Sequence, residues 1–277
     1  MQVKQNLYEF LKLIPRDKVI SYKFLSKIFL KHPRNIAQLL SQNQQQDIYP
    51  CYKVVSADGT LWGYNLGVET KKQKLLNDGV IINDDIVDET CIWKPKLYNF
   101  FVGFPLEWKS LNKFVEIKEK IQPLFNDITF QDEKTPHLTL RFFGKLDLMD
   151  FRKIAYDTLS NLSKLPKDLI NQGIELPDFG NFFEKVYYIT NNSESVLSSF
   201  EDFYKKFNLI QNLPDENRGY KPHLTLFRAW EDFSPNSLEQ IQILLSWFDF
   251  VINIKKLRFY CAIENTKQIP LIDLDLM

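Results

Sequence analysis

The tetrapeptide His-Leu-Thr-Leu occurs twice in this sequence, at residues 137–140 and 223–226. Two of the chain's three histidines occupy its first position, and a proline precedes each copy. Side chains alternate between the two faces of a β-strand, so the histidine and the threonine share one face while both leucines point into the core. Two such strands side by side would bring two imidazoles and two hydroxyl groups into one cleft.

These side chains suit the hydrolysis of a phosphodiester. One imidazole takes a proton from water while the other gives a proton to the departing ribose oxygen, and histidine titrates close enough to neutrality for both steps. The hydroxyls of Thr139 and Thr225 can donate hydrogen bonds to the non-bridging phosphate oxygens. Arg141 has the strand parity of His137 and is predicted to bind the substrate phosphate. Arg228 has the opposite parity to His223, so it can help only where the strand ends or bulges first.

The elements around this repeat alternate between strands and helices in two similar sets, which indicates an α+β domain built as two lobes. The predicted helices are 109–122, 150–162 and 196–207. The predicted strands are LYNFFVGFPL, HLTLRFFG, KVYYIT, HLTLFRAW and, as the last strand, KKLRFYCAI.

Both copies of the repeat, the proline before each and the segment YNFFVGFPL resemble the two-histidine phosphoesterases. Within them the chain is most similar to the RNA 2′,3′-cyclic phosphodiesterases, also called 2′-5′ RNA ligases, over roughly residues 97–262. The resemblance implies a bilobed α+β fold, no metal, and hydrolysis of the 2′,3′-cyclic phosphate at an RNA end to a 2′-phosphate. It also implies that His137 donates and His223 accepts a proton, roles that the sequence itself does not orient.

The formal net charge of zero conceals an asymmetry. Residues 1–75 contain twelve Lys and Arg against five Asp and Glu, so the remainder of the chain carries the compensating negative charge. A basic first quarter is typical of a nucleic-acid-binding module. Helical spacing of apolar residues predicts helices over 6–13, 22–30 and 34–42, with Pro33 at or before the first turn of the third. A short β-like run, YPCYKVV, follows, and a linker is predicted near residues 85–96.

Four N-terminal segments, IPRDKVISYKFLSKI, PRNIAQLLSQN, YPCYKVVSADGTLWGY and KKQKLLNDGV, resemble a second family in the same order. This is the DNA-binding half of the O6-alkylguanine-DNA alkyltransferases and alkyltransferase-like proteins, matched over most of residues 1–83. The resemblance implies a helix-turn-helix that enters the minor groove of double-stranded DNA and flips out a damaged guanine. It implies that Tyr22 assists flipping, Arg34 fills the vacated stack, Asn43 braces the loop and Cys51 accepts the alkyl group.

Two departures from the alkyltransferase pattern weaken the prediction of alkyl transfer. The histidine beside the nucleophile is replaced by Tyr52, and the glutamate of the proton relay is replaced by Asp78. A thiol without a neighbouring base is only a few per cent thiolate at neutral pH. Cys91 and Cys261 are predicted to be buried core residues and His32 a surface residue.

The sequence therefore predicts a helical, winged-helix-like alkyltransferase domain at 1–90 and a bilobed two-histidine phosphoesterase domain of α+β class at 97–277. The expected partners are RNA with a 2′,3′-cyclic phosphate end and double-stranded DNA, without a cofactor, a metal or a membrane. The absence of a secretory signal predicts a cytoplasmic protein.

Two alternative functions remain open. The chain could bind nucleic acid without turnover, using the phosphoesterase fold only to recognise ends, but the intact pairs of His and Thr argue against it. It could also repair alkylated DNA in a single turnover through Cys51, against which Tyr52 argues. RNA ligation is a third possible outcome of the same cleft, because a site that opens this bond can also close it.

Overall fold

The computed structural model describes residues 2–125, 127–214, 220–231, 233–263 and 268–276. The chain divides into two compact units, one comprising residues 1–98, 145–153 and 261–273 and the other residues 99–144, 154–260 and 274–277. The domain limits 1–90 and 97–277 stay a prediction. Within the described part of the chain, no helix combines the length and the apolar character needed to cross a membrane.

The N-terminal segment is mainly helical, as predicted. Its helices are α1 (Gln2–Leu11), α2 (Tyr22–Ile28), α3 (Pro33–Ser41) and α4 (Val68–Asn77). Its strands are β1 (Ile20–Ser21), β2 (Val54–Val55), β3 (Ile82–Asn83) and β4 (Ile86–Val87). β1 pairs with β2 in parallel, and β3 and β4 form an antiparallel hairpin.

The caps of α2 and α3 explain where these helices begin. The Ser21 hydroxyl accepts a hydrogen bond from the backbone N–H of Phe24, and Pro33 occupies the first turn of α3. The prediction that YPCYKVV is β-like was wrong over most of its length. Cys51–Lys53 forms a 3-10 turn, in which the backbone N–H of Lys53 donates to the Pro50 carbonyl, and only β2 is extended.

The second part of the chain is a mixed helix and sheet structure, as predicted. Its helices are α5 (Trp108–Ile121), α6 (Leu148–Ser160), α7 (Glu194–Gln211) and α8 (Pro235–Leu245). Its first strands are β5 (Leu97–Pro105), β6 (Ile128–Phe130), β7 (His137–Gly144), β8 (Gly173–Glu175) and β9 (Asp178–Phe182). They are followed by β10 (Val186–Thr190), β11 (Leu224–Ala229), β12 (Val251–Asn253), β13 (Lys256–Ile263) and β14 (Gln268–Asp275).

The main sheet has the strand order β14-β13-β5-β7-β11-β10-β9, and β6 also pairs with β11. The prediction that KKLRFYCAI is the last strand was wrong, because β14 follows it. β14 contains Pro270, which argues against a central strand, but its place at the end of the strand order is one where proline is tolerated. The short strands β6, β8, β9 and β12 and helix α8 were also not predicted.

Candidate functional site

The two HLTL segments lie side by side. β7 and β11 pair antiparallel with Leu138 opposite Leu224, and both leucines are fully buried. The prediction that the leucines enter the core is confirmed. An antiparallel ladder continued in this register places His137 opposite Thr225 and His223 opposite Thr139. The face of the sheet that carries these four side chains is called the cleft face below.

His137 is held on the cleft face by a hydrogen bond and two rings. Its Nδ1 lies 2.8 Å from the carbonyl oxygen of Thr135, which can only accept, so Nδ1 carries the proton and Nε2 is left for a substrate. The imidazole centroid lies 4.6 Å from that of Phe101 and 4.8 Å from that of Tyr260. With 8% of its surface exposed, His137 has a fixed orientation.

Gly103 of β5 makes room for this imidazole. A Cβ atom at Gly103 would lie 2.4 Å from the carbonyl oxygen of Leu138 and 3.3 Å from Cδ2 of His137. The first distance is far below van der Waals contact, so any other residue would force the two strands apart. Glycine at position 103 therefore allows β5 to pack closely against β7 and so fixes the position of His137.

His223 is held in the same way just before β11. Its Nδ1 lies 2.8 Å from the carbonyl oxygen of Lys221, which can only accept, so Nδ1 carries the proton, as in His137. Its ring lies 4.9 Å from that of Phe182 and 5.4 Å from that of Tyr188. His223 is more exposed than His137, so the two imidazoles share chemistry but differ in environment.

A β-bulge in β7 corrects the expectation for Arg141. Two consecutive residues of β5, Gly103 and Val102, pair with Thr139 and Arg141, so Leu140 is the extra residue. The bulge reverses the parity of the following side chains. Arg141 therefore does not share the face of His137 and Thr139, and the prediction from simple alternation was wrong.

Arg141 instead braces the strand from the opposite side. Its guanidinium donates to the Tyr204 hydroxyl and, at 3.1 Å, to the Pro214 carbonyl oxygen. The Tyr204 ring stacks on Tyr220 at 5.0 Å, and the Tyr220 hydroxyl donates to the Thr139 carbonyl oxygen at 2.8 Å. This chain of contacts holds the backbone of the first repeat at its bulge.

A second β-bulge brings Arg228 to the cleft face. Two consecutive residues of β10 pair with Thr225 and Phe227, so Leu226 is extra in β11. The reversal of parity returns Arg228 to the face of His223 and Thr225, where it is exposed. The sequence predicted that Arg228 could reach the site only if its strand ended or bulged first, and β11 has such a bulge.

The electrostatics of the cleft face are set by burial and by positive charge. Burial lowers the pKa of His137 to about 4, the hydrogen bond to the Thr135 carbonyl opposes this, and the charges of His223 and Arg258 lower it further. His137 is therefore neutral at neutral pH in the ligand-free protein. The described residues contain no group of three or more His, Cys, Asp or Glu that could hold a metal ion.

We expect nuclear magnetic resonance of the imidazole groups to show this difference directly. The chain has only three histidines, so their signals can be assigned by single substitutions. His137 should titrate with a midpoint near pH 4, because a buried imidazolium loses its hydration. A midpoint at the ordinary value of about 6.5 would contradict the burial of its ring.

A second cluster surrounds Cys51 in the N-terminal segment. The Asn43 side-chain amide donates to the Tyr49 carbonyl oxygen at 2.7 Å and to Cys51 Sγ at 3.2 Å. Burial raises the pKa of the Cys51 thiol, and the bond from Asn43 opposes this. Burial also raises the pKa of Tyr22 to about 12, with a further contribution from Cys51, so Tyr22 lies within electrostatic reach of the sulfur.

The residues that replace the alkyltransferase relay contact each other. The Tyr52 hydroxyl donates to Asp78 Oδ2 at 2.9 Å, and Lys53 Nζ lies 3.2 Å from the same oxygen. Burial and the Asp78 carboxylate raise the pKa of Tyr52, so it cannot take a proton from a thiol at neutral pH. Lys71 is also fully buried and donates to two carbonyl oxygens.

Arg34 lies exposed in the first turn of α3, where its backbone N–H donates to the imidazole Nδ1 of His32 at 3.2 Å. His32 is exposed, as predicted, but it caps this helix, a role that sequence reasoning missed. Cys91 and Cys261 are buried, as predicted. Gly103, Phe101 and Tyr260 were also missed, and the signal for Gly103 was its place inside the strand-like run YNFFVGFPL.

Comparison with known proteins finds curated proteins similar to part of the chain. A bifunctional methyltransferase/endonuclease of Picrophilus torridus is 35% identical over 120 residues, which are 43% of this chain and 38% of that protein. A methylated-DNA–protein-cysteine methyltransferase of Pyrobaculum aerophilum is 38% identical over 71 residues, 26% of this chain and 48% of that protein. The matched segments thus span less than half the length of either relative.

Among solved structures, E. coli LigT complexed with 3′-AMP is similar over 66% of this chain and 99% of its own, with 16% identity and a TM-score of 0.46.

Residues 2–80 match the family model of the 6-O-methylguanine DNA methyltransferase, DNA binding domain. The N-terminal segment therefore carries the DNA-binding domain that its ordered motifs predict.

Proposed function

We propose that the second part of the chain hydrolyses the 2′,3′-cyclic phosphate at an RNA end to a 2′-phosphate without a metal. The observation that carries this proposal is the symmetric placement of His137 and His223 at adjacent strands, each with Nδ1 bonded to a backbone carbonyl two residues before it. Water attacks phosphorus as one imidazole takes its proton. The bond to the 3′ oxygen breaks as the other imidazole protonates that oxygen. Thr139, Thr225 and Arg228 stabilise the charge on the non-bridging oxygens.

The resemblance assigns the donor role to His137. This role requires that the bound substrate raise the pKa of His137. A donor must be protonated on Nε2, whereas His137 is neutral at neutral pH in the ligand-free protein. The negative charge of a bound phosphate stabilises the imidazolium and raises its pKa. An upward shift of the His137 midpoint on binding a 2′-nucleotide supports the donor role, and an unchanged midpoint assigns the donor role to His223.

We expect chelator-treated full-length protein to convert an RNA oligonucleotide ending in a 2′,3′-cyclic phosphate to one ending in a 2′-phosphate. The two imidazoles supply both proton transfers, so EDTA should leave the rate unchanged. The products are separated by electrophoresis and identified by mass spectrometry. A requirement for added divalent metal would contradict the mechanism, and binding without turnover would favour the recognition function. Formation of a 2′-5′ linkage from the product would show the reverse reaction.

We propose that the N-terminal domain binds double-stranded DNA that contains an alkylated guanine and does not accept the alkyl group. The match of residues 2–80 supports DNA binding, and the exposed position of Arg34 in the first turn of α3 supports lesion recognition. The raised pKa of the Cys51 thiol and the bond between Tyr52 and Asp78 oppose transfer, because neither supplies a thiolate.

We expect Arg34→Ala to reduce the preference of the full-length protein for duplexes containing O6-methylguanine more than its affinity for undamaged DNA. A side chain that fills the vacated stack acts only where a base is flipped out. The matched control is Lys31→Ala, which removes an exposed charge nearby and should lower both affinities alike. Affinities are measured by fluorescence anisotropy at two salt concentrations. Equal losses in Arg34→Ala, or a methyl group on Cys51 by mass spectrometry, would contradict this proposal.

A further inference from the structure

Strand β13 presents two cations and an aromatic ring on the cleft face. Lys256, Arg258 and Tyr260 alternate along the strand with Leu257 and Phe259, which are fully buried. Tyr260 contacts the His137 ring, so the side chains that share its parity project on the same face. The row of Lys256 and Arg258 thus leads away from the reacting centre.

Arg258 is electrostatically coupled to the reacting centre. Its guanidinium carbon lies 5.9 Å from the centroid of the Tyr260 ring, which is itself 4.8 Å from that of His137. Its positive charge also contributes to the low pKa of His137. Arg258 therefore lies on the β13 side of His137, and both side chains contact the Tyr260 ring.

The strand order separates this row from the reacting phosphate. His137 and His223 lie at neighbouring strands, β7 and β11, whereas β13 lies two strands beyond β7, about 10 Å away at ordinary strand spacing. Arg228 serves the reacting phosphate from β11. Positions i and i+2 of a strand lie about 6.7 Å apart, which is comparable to the separation of successive phosphates in a nucleic-acid strand.

We propose that Lys256 and Arg258 bind the backbone phosphates that precede the cyclic phosphate, so that the substrate is an RNA strand rather than a cyclic mononucleotide. The inference rests on the proposed function and names the substrate class of the same site. An arginine forms paired hydrogen bonds with a phosphate, and each lysine or arginine on a backbone adds affinity that falls with salt.

The test compares Arg258→Gln and Lys256→Gln with the unaltered full-length protein on two substrates, 2′,3′-cyclic AMP and an RNA oligonucleotide ending in a 2′,3′-cyclic phosphate. Each substitution should raise KM for the oligonucleotide about tenfold relative to KM for cyclic AMP. The slope of log KM for the oligonucleotide against log salt concentration should decrease by about one. The matched control, Lys205→Gln, removes an exposed cation of α7 and should leave this ratio unchanged.

Equal changes of KM on both substrates, or none, would overturn the inference. Binding of the RNA product with its 2′-phosphate end provides a second readout that needs no turnover. Arg258→Gln should weaken this binding about tenfold. If the unaltered protein cleaves neither substrate, the proposed function fails, and the binding measurement alone decides whether this row contacts RNA.

Discussion

Replacing either His137 or His223 by alanine should lower kcat for cyclic phosphate hydrolysis by about two to four orders of magnitude. This is the usual contribution of a positioned acid or base, and each imidazole is positioned by a bond from its Nδ1 to a backbone carbonyl. The rate should follow a bell-shaped pH profile, because the two rings must hold opposite protonation states. His137→Asn sharpens the test, since its amide can still donate to the Thr135 carbonyl but cannot transfer a proton. Rapid-quench kinetics with a labelled oligonucleotide measure the loss.

Replacing both histidines should lower kcat little more than replacing one, because the effects of substituting residues that act as a unit are not additive. Thr139→Ala and Thr225→Ala should be milder, since proton transfer is left intact. His32→Ala is the matched control, an exposed histidine whose loss should leave turnover unchanged. A folded double variant that retains more than about a tenth of the activity would show that the two histidines are only surface residues of their strands.

The repeated tetrapeptide was sufficient to predict the centre of the candidate site. Period-two alternation placed the leucines in the core, and the structure confirms this with β7 and β11 as neighbours. The alternation failed at the arginines. A bulge arises from pairing with the neighbouring strand, so the bulges at Leu140 and Leu226 cannot be deduced from local composition.

The side chains that surround His137 could not be predicted from the HLTL segment that contains it. Phe101 lies on β5 and Tyr260 on β13, so both reach the imidazole only after the sheet has formed. No local pattern in HLTLRFFG indicates which rings will flank it. The sequence thus predicts the candidate reacting residues, whereas the sheet determines which rings flank His137.

The N-terminal segment shows the converse relation between motif and structure. Apolar spacing predicted α1, α2 and α3 but not α4. The ordered segments predicted the family of this domain, which the match over residues 2–80 confirms. The two departures at Tyr52 and Asp78 were visible separately, but the sequence did not show that these side chains bind each other. The two departures from the alkyltransferase pattern are thus joined as hydrogen-bond donor and acceptor.

Gly103→Ala should lower kcat of the cyclic phosphodiesterase reaction about a hundredfold while the chain stays folded. The added Cβ would lie 2.4 Å from the Leu138 carbonyl oxygen, so β5 and β7 must separate, and His137 moves with its strand. A displacement of about 1 Å at a catalytic group costs about 10² in rate. The same overpacking should lower the free energy of unfolding by about 1–3 kcal/mol, measured by denaturant titration.

Gly173→Ala is the matched control for this substitution. Gly173 also lies in a strand, but its added Cβ would meet only a side-chain methyl of Val251 at 3.2 Å, away from both HLTL segments. Its turnover should stay near that of the unaltered protein. The imidazole signals of His137 should move in Gly103→Ala and not in Gly173→Ala, because only the first substitution touches the ring. Full turnover in folded Gly103→Ala would mean that the reaction does not depend on the position of His137. His137 would then have no part in the proton transfers, which contradicts the two-histidine mechanism.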